Sequence, residues 1–468
     1  MTALRDLLGG NRQVGVLLHV TSLPGGTIGA AACQWSELLA RHRVGVWQVL
    51  PLAPTDGTGS PYSSPSGFAL NPALQDPDDP LPAWSPGSFR AYEQWCRRES
   101  LWLQDHCRFM VLRRRFDQSP WWEWPQAMAR REPAAMRTLD REAAAELREE
   151  AQQQWWLQQQ WLRLRSHANG LGVKLLGDLP FYGAHDSADV WSRPGLFSLR
   201  RDGSLEQQSG VPPDYFSETG QLWSTPVYRW RRHRLNGYRW WLKRLERQLE
   251  LFDLLRIDHF RALAGYWSVP GTDDTAMNGR WLPSPGQAIL KALRRRSGGR
   301  LPLVAEDLGV ITPDVENLRD GLQLPGMKVL QFAFDGNADN PYLPHNFNGN
   351  SWVAYTGTHD NATAIGWWNS QPQSSREQME AVLGHHVQAP GWELLRLALA
   401  STADLAVVPL QDLMSLDDSA RFNTPGTSSG NWCWRLQASV ESLDGHLAGL
   451  QQLAETYHRG SAVAASPD

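Results

Sequence analysis

Four polar or ionisable residues, Arg256, Asp258, His259 and Arg261, fall within six positions at the end of an apolar run, LLRIDHFRAL (254–263). Other apolar runs end in a similar way. LPLVAED closes on Glu306 and Asp307, WVAYTGTHD closes on His359 and Asp360, and GVKLLGDLP carries Asp178 near its end. Carboxylates gathered from separate strand ends suit the cleavage of a glycosidic bond. That reaction uses two carboxyl groups flanking an oxocarbenium-like transition state, one ionised and one protonated. If Asp258 and Glu306 leave consecutive strands, the ~4.8 Å strand spacing approaches the ~5–5.5 Å separation of a retaining pair.

Local chemistry suggests the roles. Arg256 lies two residues before Asp258 and so points to the same face, where a fixed cation keeps a carboxylate ionised. Glu306 follows Leu303-Val304-Ala305, an apolar approach that raises a carboxyl pKa toward the acid role. Asp360 is placed to hold sugar hydroxyls and favour ring distortion. Each residue also has a structural reading: a rim ion pair for Arg256 and Asp258, a helix cap for Glu306-Asp307, and backbone partners for His259 and His359. Three acidic strand ends with histidine beside two of them favour a site. A divalent metal competes for Asp/His clusters, but no HxxxH or EF-hand-like spacing supports one. No metal and no cofactor is expected, because two carboxyl groups suffice.

Eight short apolar, β-branched runs must position these groups: 14–20, 44–52, 172–180, 252–258, 301–307, 327–334, 352–360 and 405–412. Continuous apolar runs, rather than alternation, indicate strands buried on both faces of a parallel sheet. Helical patterns lie between several of them, at 33–42, 285–296, 312–322 and 392–402. The pattern predicts an α/β fold, a (β/α)8 TIM barrel whose strand C-termini face the site. The gaps at 53–171 and 181–250 exceed ordinary crossovers of ~2–6 residues. The first contains the Trp- and Gln-rich stretch REAAAELREEAQQQWWLQQQWLRLRSHAN and is expected as a largely helical subdomain packed on the barrel. The second, rich in Pro, Gly and aromatics, is expected to cover the barrel mouth. Residues 1–460 then form a single catalytic unit, with 461–468 a disordered tail.

A net charge of -4 over 468 residues argues against a nucleic-acid or anionic-membrane footprint. The amino terminus has no apolar signal core, and no apolar run reaches the length of a membrane span. Four scattered cysteines without CxxC spacing point to neither a disulfide framework nor a zinc site, and a reducing, cytoplasmic compartment is expected. The 24 Trp are mostly structural in expectation, yet their excess favours carbohydrate, whose ring faces stack on aromatics.

Longer segments carry a resemblance. LLHVTSLPGG, GSPYSSPSGFALNP, PWWEWP, LLGDLPFYGAHDSADVW, GVPPDYFSETGQLW, LRIDHFRAL, VAEDLGVITP, PGMKVLQFAFDG, YTGTHDNAT and RFNTPGTSSGNWCWR run in order through nearly the whole chain. In these the chain closely resembles the 4-alpha-glucanotransferases of amylomaltase or disproportionating-enzyme type, glycoside hydrolase family 77. The resemblance implies Asp258 as nucleophile, Glu306 as acid/base and Asp360 as transition-state stabiliser. It implies sugar contacts for Arg256, His259, His359, Asp178, Tyr62, Trp223 and Asn423. It also implies maltooligosaccharides, or starch- or glycogen-derived glucans, as substrates for a monomer or homodimer. Where the family usually has Gly after RIDHFR, an acidic residue after THDN and Met in RMN, this chain has Ala262, Ala362 and Phe422. Those positions bear on substrate length. Transfer to a sugar 4-hydroxyl, hydrolysis on the same carboxylates, and glucan binding without catalysis remain distinct readings at this point. Reducing ends separate the first two, and loss of a catalytic carboxylate would mark the third.

Overall fold

The computed structural model describes residues 4–213, 217–309 and 311–460. The expected tail at 461–468 lies outside the described residues. Eight parallel strands form one sheet: β1 (Gln13–Leu17), β2 (Val46–Gln48), β3 (Lys174–Leu179), β4 (Leu254–Ile257), β5 (Leu303–Ala305), β6 (Gly326–Val329), β7 (Trp352–Tyr355) and β8 (Leu405–Pro409). The ladder runs β6-β7-β8-β1-β2-β3-β4-β5. Six of the strands start within the expected runs, and two, β1 and β6, start one residue earlier. β3, β4, β5 and β7 are followed closely by the polar residues of the cleft.

The barrel closes between β5 and β6. Ala305 N–H donates to Pro325 O at 2.8 Å. Asp307 then takes Met327 N–H at 2.7 Å on one oxygen and the guanidinium of Arg319 on the other. Arg319 belongs to the helix Pro313–Gly321, the β5-to-β6 crossover. Asp307 is therefore a buried staple across the seam, and the acidic pair Glu306-Asp307 divides, one facing the cleft and the other the wall.

Close packing also dictates residue size beside the site. Gly177 in β3 faces Phe252, and a Cβ there would lie 2.2 Å from the ring. The long segment after β2 contains the helices Pro86–Arg98, Leu103–Arg115, Pro133–Glu142 and Ala144–Gly170. The last carries the Gln-rich stretch, whose glutamines turn inward. Gln154 accepts from Leu70 N–H and donates to Leu70 O, while Gln160 accepts from Asp76 N–H. Satisfied in this way, buried amides are stable, and they fasten the loop that leaves β2 with Tyr62.

A second sheet of four antiparallel strands has the order Gln221–Pro226, Gln207–Val211, Gly265–Pro270, Arg280–Pro283. Two of these strands follow β3 and two follow β4. The sheet thus unites segments from two loops, a pairing that no local pattern announces. Trp223 lies on its first strand.

Replacing Asp307 by Ala leaves the Met327 N–H without that acceptor and Arg319 with only the exposed Asp320 as its carboxylate. Breaking a buried pair on one side costs about 3–5 kcal/mol, so the urea unfolding midpoint should fall substantially. An unchanged midpoint would show that the seam does not depend on Asp307.

Candidate active site

The site is assembled on strand register. Asp178 on β3 pairs directly with Arg256 on β4, and Ile257 on β4 pairs with Ala305 on β5. Asp258 and Glu306 therefore leave adjacent strands at equivalent positions. The Arg256 guanidinium is buried between carboxylates. Its Nη1 lies 2.8 and 2.6 Å from the two oxygens of Asp178 and 3.0 Å from Asp258 Oδ1. Tyr62 O–H donates to Asp178 Oδ2 at 2.7 Å. Burial works against the charge on Arg256, but the surrounding carboxylates outweigh it and hold the guanidinium firmly protonated.

Arg256 does not bring Asp258 into the ordinary carboxylate range. Burial pushes Asp258 up to about 6, Arg256 opposes, and Asp178 and Asp360 push it further up. The cation is shared, and Asp178 takes the closer contacts. Asp258 still presents 27% of its side chain to the cleft, which leaves it open to a ligand.

Glu306 is pushed up to about 7, chiefly by burial, with Arg256 opposing and the Asp258 charge adding to the rise. This matches the direction expected from its apolar approach. Its Oε2 accepts His259 N–H at 2.7 Å and its Oε1 accepts Leu308 N–H at 3.1 Å. The first bond depends on backbone geometry. His259 adopts left-handed φ 50°, ψ 48°, which few non-glycine residues take and which aims its N–H at Glu306. The His259 ring is lowered to about 3, mostly by burial and then by Arg261, and so is neutral. It meets Trp223 edge-on, with centroids 4.8 Å apart. Arg261 points away, over the Trp281 ring at 3.7 Å and onto Thr312.

The opposite wall comes from β7 and the segment after β8. His359 Nε2 lies 3.2 Å from Asp360 Oδ2. Burial disfavours charge on both, yet each stabilises the other's. His359 is raised, and Asp360 is held well below the usual range with help from Asn423. Asn423 Nδ2 donates to Asp360 Oδ1 at 2.7 Å, and Arg421 donates to Asp360 O at 3.0 Å. Tyr62 stacks on His359 with centroids 5.0 Å apart and planes 12° apart. The loop carrying His359 and Asp360 is pinned at both ends by Asp412, which accepts from Thr356 Oγ1 at 2.6 Å and Ala364 N–H at 2.7 Å.

All ten candidate residues thus surround one cleft. Asp178, Arg256, Asp258, Tyr62, His359, Asp360 and Asn423 form a contiguous network, and Glu306, His259 and Trp223 form the facing group. Asp412 and Trp432 were not singled out from sequence. Asp412 ends a strand run as Asp178 and Asp258 do, a usable signal. Trp432 follows a Gly-rich stretch with no periodicity.

A parallel barrel with this acidic mouth defines the carbohydrate-cleaving class of (β/α)8 enzymes. The particular family is then plain: the chain belongs to glycoside hydrolase family 77, the 4-alpha-glucanotransferases, whose model matches residues 18–83 and 84–441. It is 41% identical to the 4-alpha-glucanotransferase of Thermus thermophilus, over 96% of this chain and 99% of that one. It is 39% identical to that of a Synechocystis strain, over 94% and 97%. Among solved structures, the amylomaltase from Streptococcus agalactiae in complex with acarbose superposes with a TM-score of 0.90 at 31% identity, covering 96% of this chain and 100% of that one. The protein is an enzyme of the 4-alpha-glucanotransferase type.

The charge coupling has a direct test. Asp258→Asn removes a negative neighbour, so the Glu306 carboxyl should titrate below about 7. Carbon-detected NMR of glutamate-labelled protein would show the shift, and an unmoved resonance would assign the rise to burial alone.

Proposed function

We propose that the enzyme cuts an alpha-1,4-glucan and passes the fragment to the 4-hydroxyl of another glucan or of glucose, by double displacement through a covalent glucosyl ester on Asp258. The observation that carries this reading is the placement of Asp258 and Glu306 at equivalent positions of adjacent strands, with Glu306 shifted up to about 7. Glu306 donates its proton to the leaving glycosidic oxygen as Asp258 attacks the anomeric carbon. It then takes the proton of the incoming 4-hydroxyl as that oxygen displaces Asp258. Asp360, kept ionised by His359 and Asn423 and 45% exposed, supports the positive charge that develops on the sugar ring.

Arg256, Asp178, Tyr62, His359 and Asn423 hold the ring that is cleaved, and His259 and Trp223 meet the leaving or accepting sugar beside Glu306. Maltooligosaccharides and starch- or glycogen-derived glucans are the substrates in this reading. The acarbose bound to the streptococcal relative is in keeping with it. No nucleic acid or membrane takes part. The catalytic unit spans 1–460, with the 53–171 insertion beside the barrel and the 181–250 insertion over its mouth. The enzyme works in the cytoplasm as a monomer or homodimer. Among the described residues no helix is long and apolar enough to cross a membrane. Transfer prevails over hydrolysis where the covered site misplaces water and offers the acceptor a surface.

Incubation with maltotriose alone should give glucose and a ladder of longer maltodextrins at constant reducing ends. A steady rise in reducing ends with shorter sugars would make the enzyme a hydrolase. Asp258 must be ionised and Glu306 protonated, so kcat/KM should fall below about pH 6 as Asp258 gains a proton and above about pH 7 as Glu306 loses one, the two limbs belonging to the pair. Glu306→Gln should suppress transfer from maltotriose about a thousandfold while largely sparing ester formation from a glucosyl fluoride, whose leaving group needs no proton. Equal losses on both donors would remove Glu306 from the acid role.

A further inference from the structure

Aromatic rings flank the carboxylates on two sides. On the Glu306 side stand His259 and Trp223. On the other side Tyr62 and His359 stack, and Trp432 extends their surface, its ring centroid 5.6 Å from Tyr62 and 6.1 Å from His359, with interplanar angles of 35° and 37°. The three rings form one cluster, Tyr62 stacked on His359 and Trp432 tilted against both. Trp432 is only half-buried.

Its backbone is unusual. Trp432 has φ 62°, a left-handed conformation that is an outlier for so bulky a residue. Two contacts hold it there: Trp432 N–H donates to Phe422 O at 2.6 Å, and Arg435 Nη1 donates to Trp432 O at 2.9 Å. The preceding turn is closed by Thr424 N–H donating to Asn431 Oδ1 at 2.8 Å. Strain maintained by surrounding contacts marks positions where function requires a side chain in a particular place. Glycine would sit there without strain, yet the position carries the largest side chain.

Resting on the transferase reading, we propose that Trp432 is a specificity-determining residue, stacking on the donor glucosyl ring one place beyond the ring that is cleaved. The leaving and accepting sugars lie on the Glu306 side, where the proton is exchanged. The cleaved ring lies beside Tyr62, next to Asp258 and Asp360. A chain continuing away from Glu306 passes next over Trp432. The apolar face of an alpha-1,4-linked glucosyl ring matches an indole at that point. Enzyme–donor affinity then grows when the transferred segment is longer than one glucose.

The test uses the full chain with glucose as acceptor and two donors, glucosyl fluoride and maltotriosyl fluoride. In each, the C1–F bond breaks as the Asp258 ester forms, fluoride departs unassisted, and Glu306 releases its proton to solvent. The acceptor 4-oxygen then displaces Asp258, and its proton passes to the ionised Glu306. Trp432→Gly, which suits the backbone, should raise KM for maltotriosyl fluoride about tenfold more than KM for glucosyl fluoride. Trp432→Phe should recover most of that difference. Equal rises for the two donors would show that Trp432 merely holds Tyr62 and His359 in place, and would overturn the proposal, as would no rise at all. Were the Gly chain not to fold, the Phe variant decides by itself. Its smaller face should raise the KM ratio about two- to threefold, and an unchanged ratio overturns the proposal. If the unmodified enzyme transfers neither donor to glucose, the transferase reading itself fails, a result separate from any change in the ratio.

Discussion

The buried guanidinium of Arg256 is the charge around which the rest of the site is arranged. Removing a cation from water carries a penalty of several kcal/mol unless anions compensate for it at close range. Asp178 and Asp258 both do so, at 2.6–3.0 Å. Direct pairing of β3 with β4 places Asp178 opposite Arg256, and the alternation of side chains along a strand places Asp258 on the same side. Slippage of either strand by one residue would turn one partner into the barrel wall and leave the guanidinium with half its compensation. Barrel register and site electrostatics are thus a single constraint.

That shared cation explains how the carboxylates differ. Asp178 makes the closest contacts to Arg256 and accepts the Tyr62 O–H. Asp258 receives only a remaining share and stays shifted upward. Glu306 lies beyond, in apolar surroundings, and backbone N–H groups occupy both of its oxygens. Asp360 has its own cation in His359. Asp258, Glu306 and Asp360 therefore fall into distinct protonation regimes in one cleft, the condition under which two carboxyl groups perform acid and nucleophile roles side by side.

Preorganisation of the loops follows from buried polar groups with complete bonding. Gln154 and Gln160 grip the segment that follows β2, and Asp412 closes both ends of the β7 loop. Tyr62 and His359, nearly 300 residues apart in sequence, come into stacking contact because each loop is independently fastened. Such fastening keeps catalytic groups in place without reorganisation during reaction.

Much of this was legible in sequence. Strands buried on both faces must be apolar throughout, so all eight barrel strands show as apolar runs, and the polar residues that end them mark the cleft. The types and order of Asp258, Glu306 and Asp360, and the upward push on Glu306 from Leu303-Val304-Ala305, follow from the chain alone. The four-stranded second sheet was not legible, because QQSGV and RWLP lack strand patterning and their partners come from different loops. Nor was the division of Arg256 between two carboxylates, the left-handed turn that brings His259 N–H to Glu306, or the arrival of Trp432 beside Tyr62. Local sequence determines which residues are available and which face of a strand they occupy, because those depend on hydrophobicity and a two-residue period. Which charge each group meets, and at what distance, depends on elements far apart in the chain, and only the folded barrel decides it.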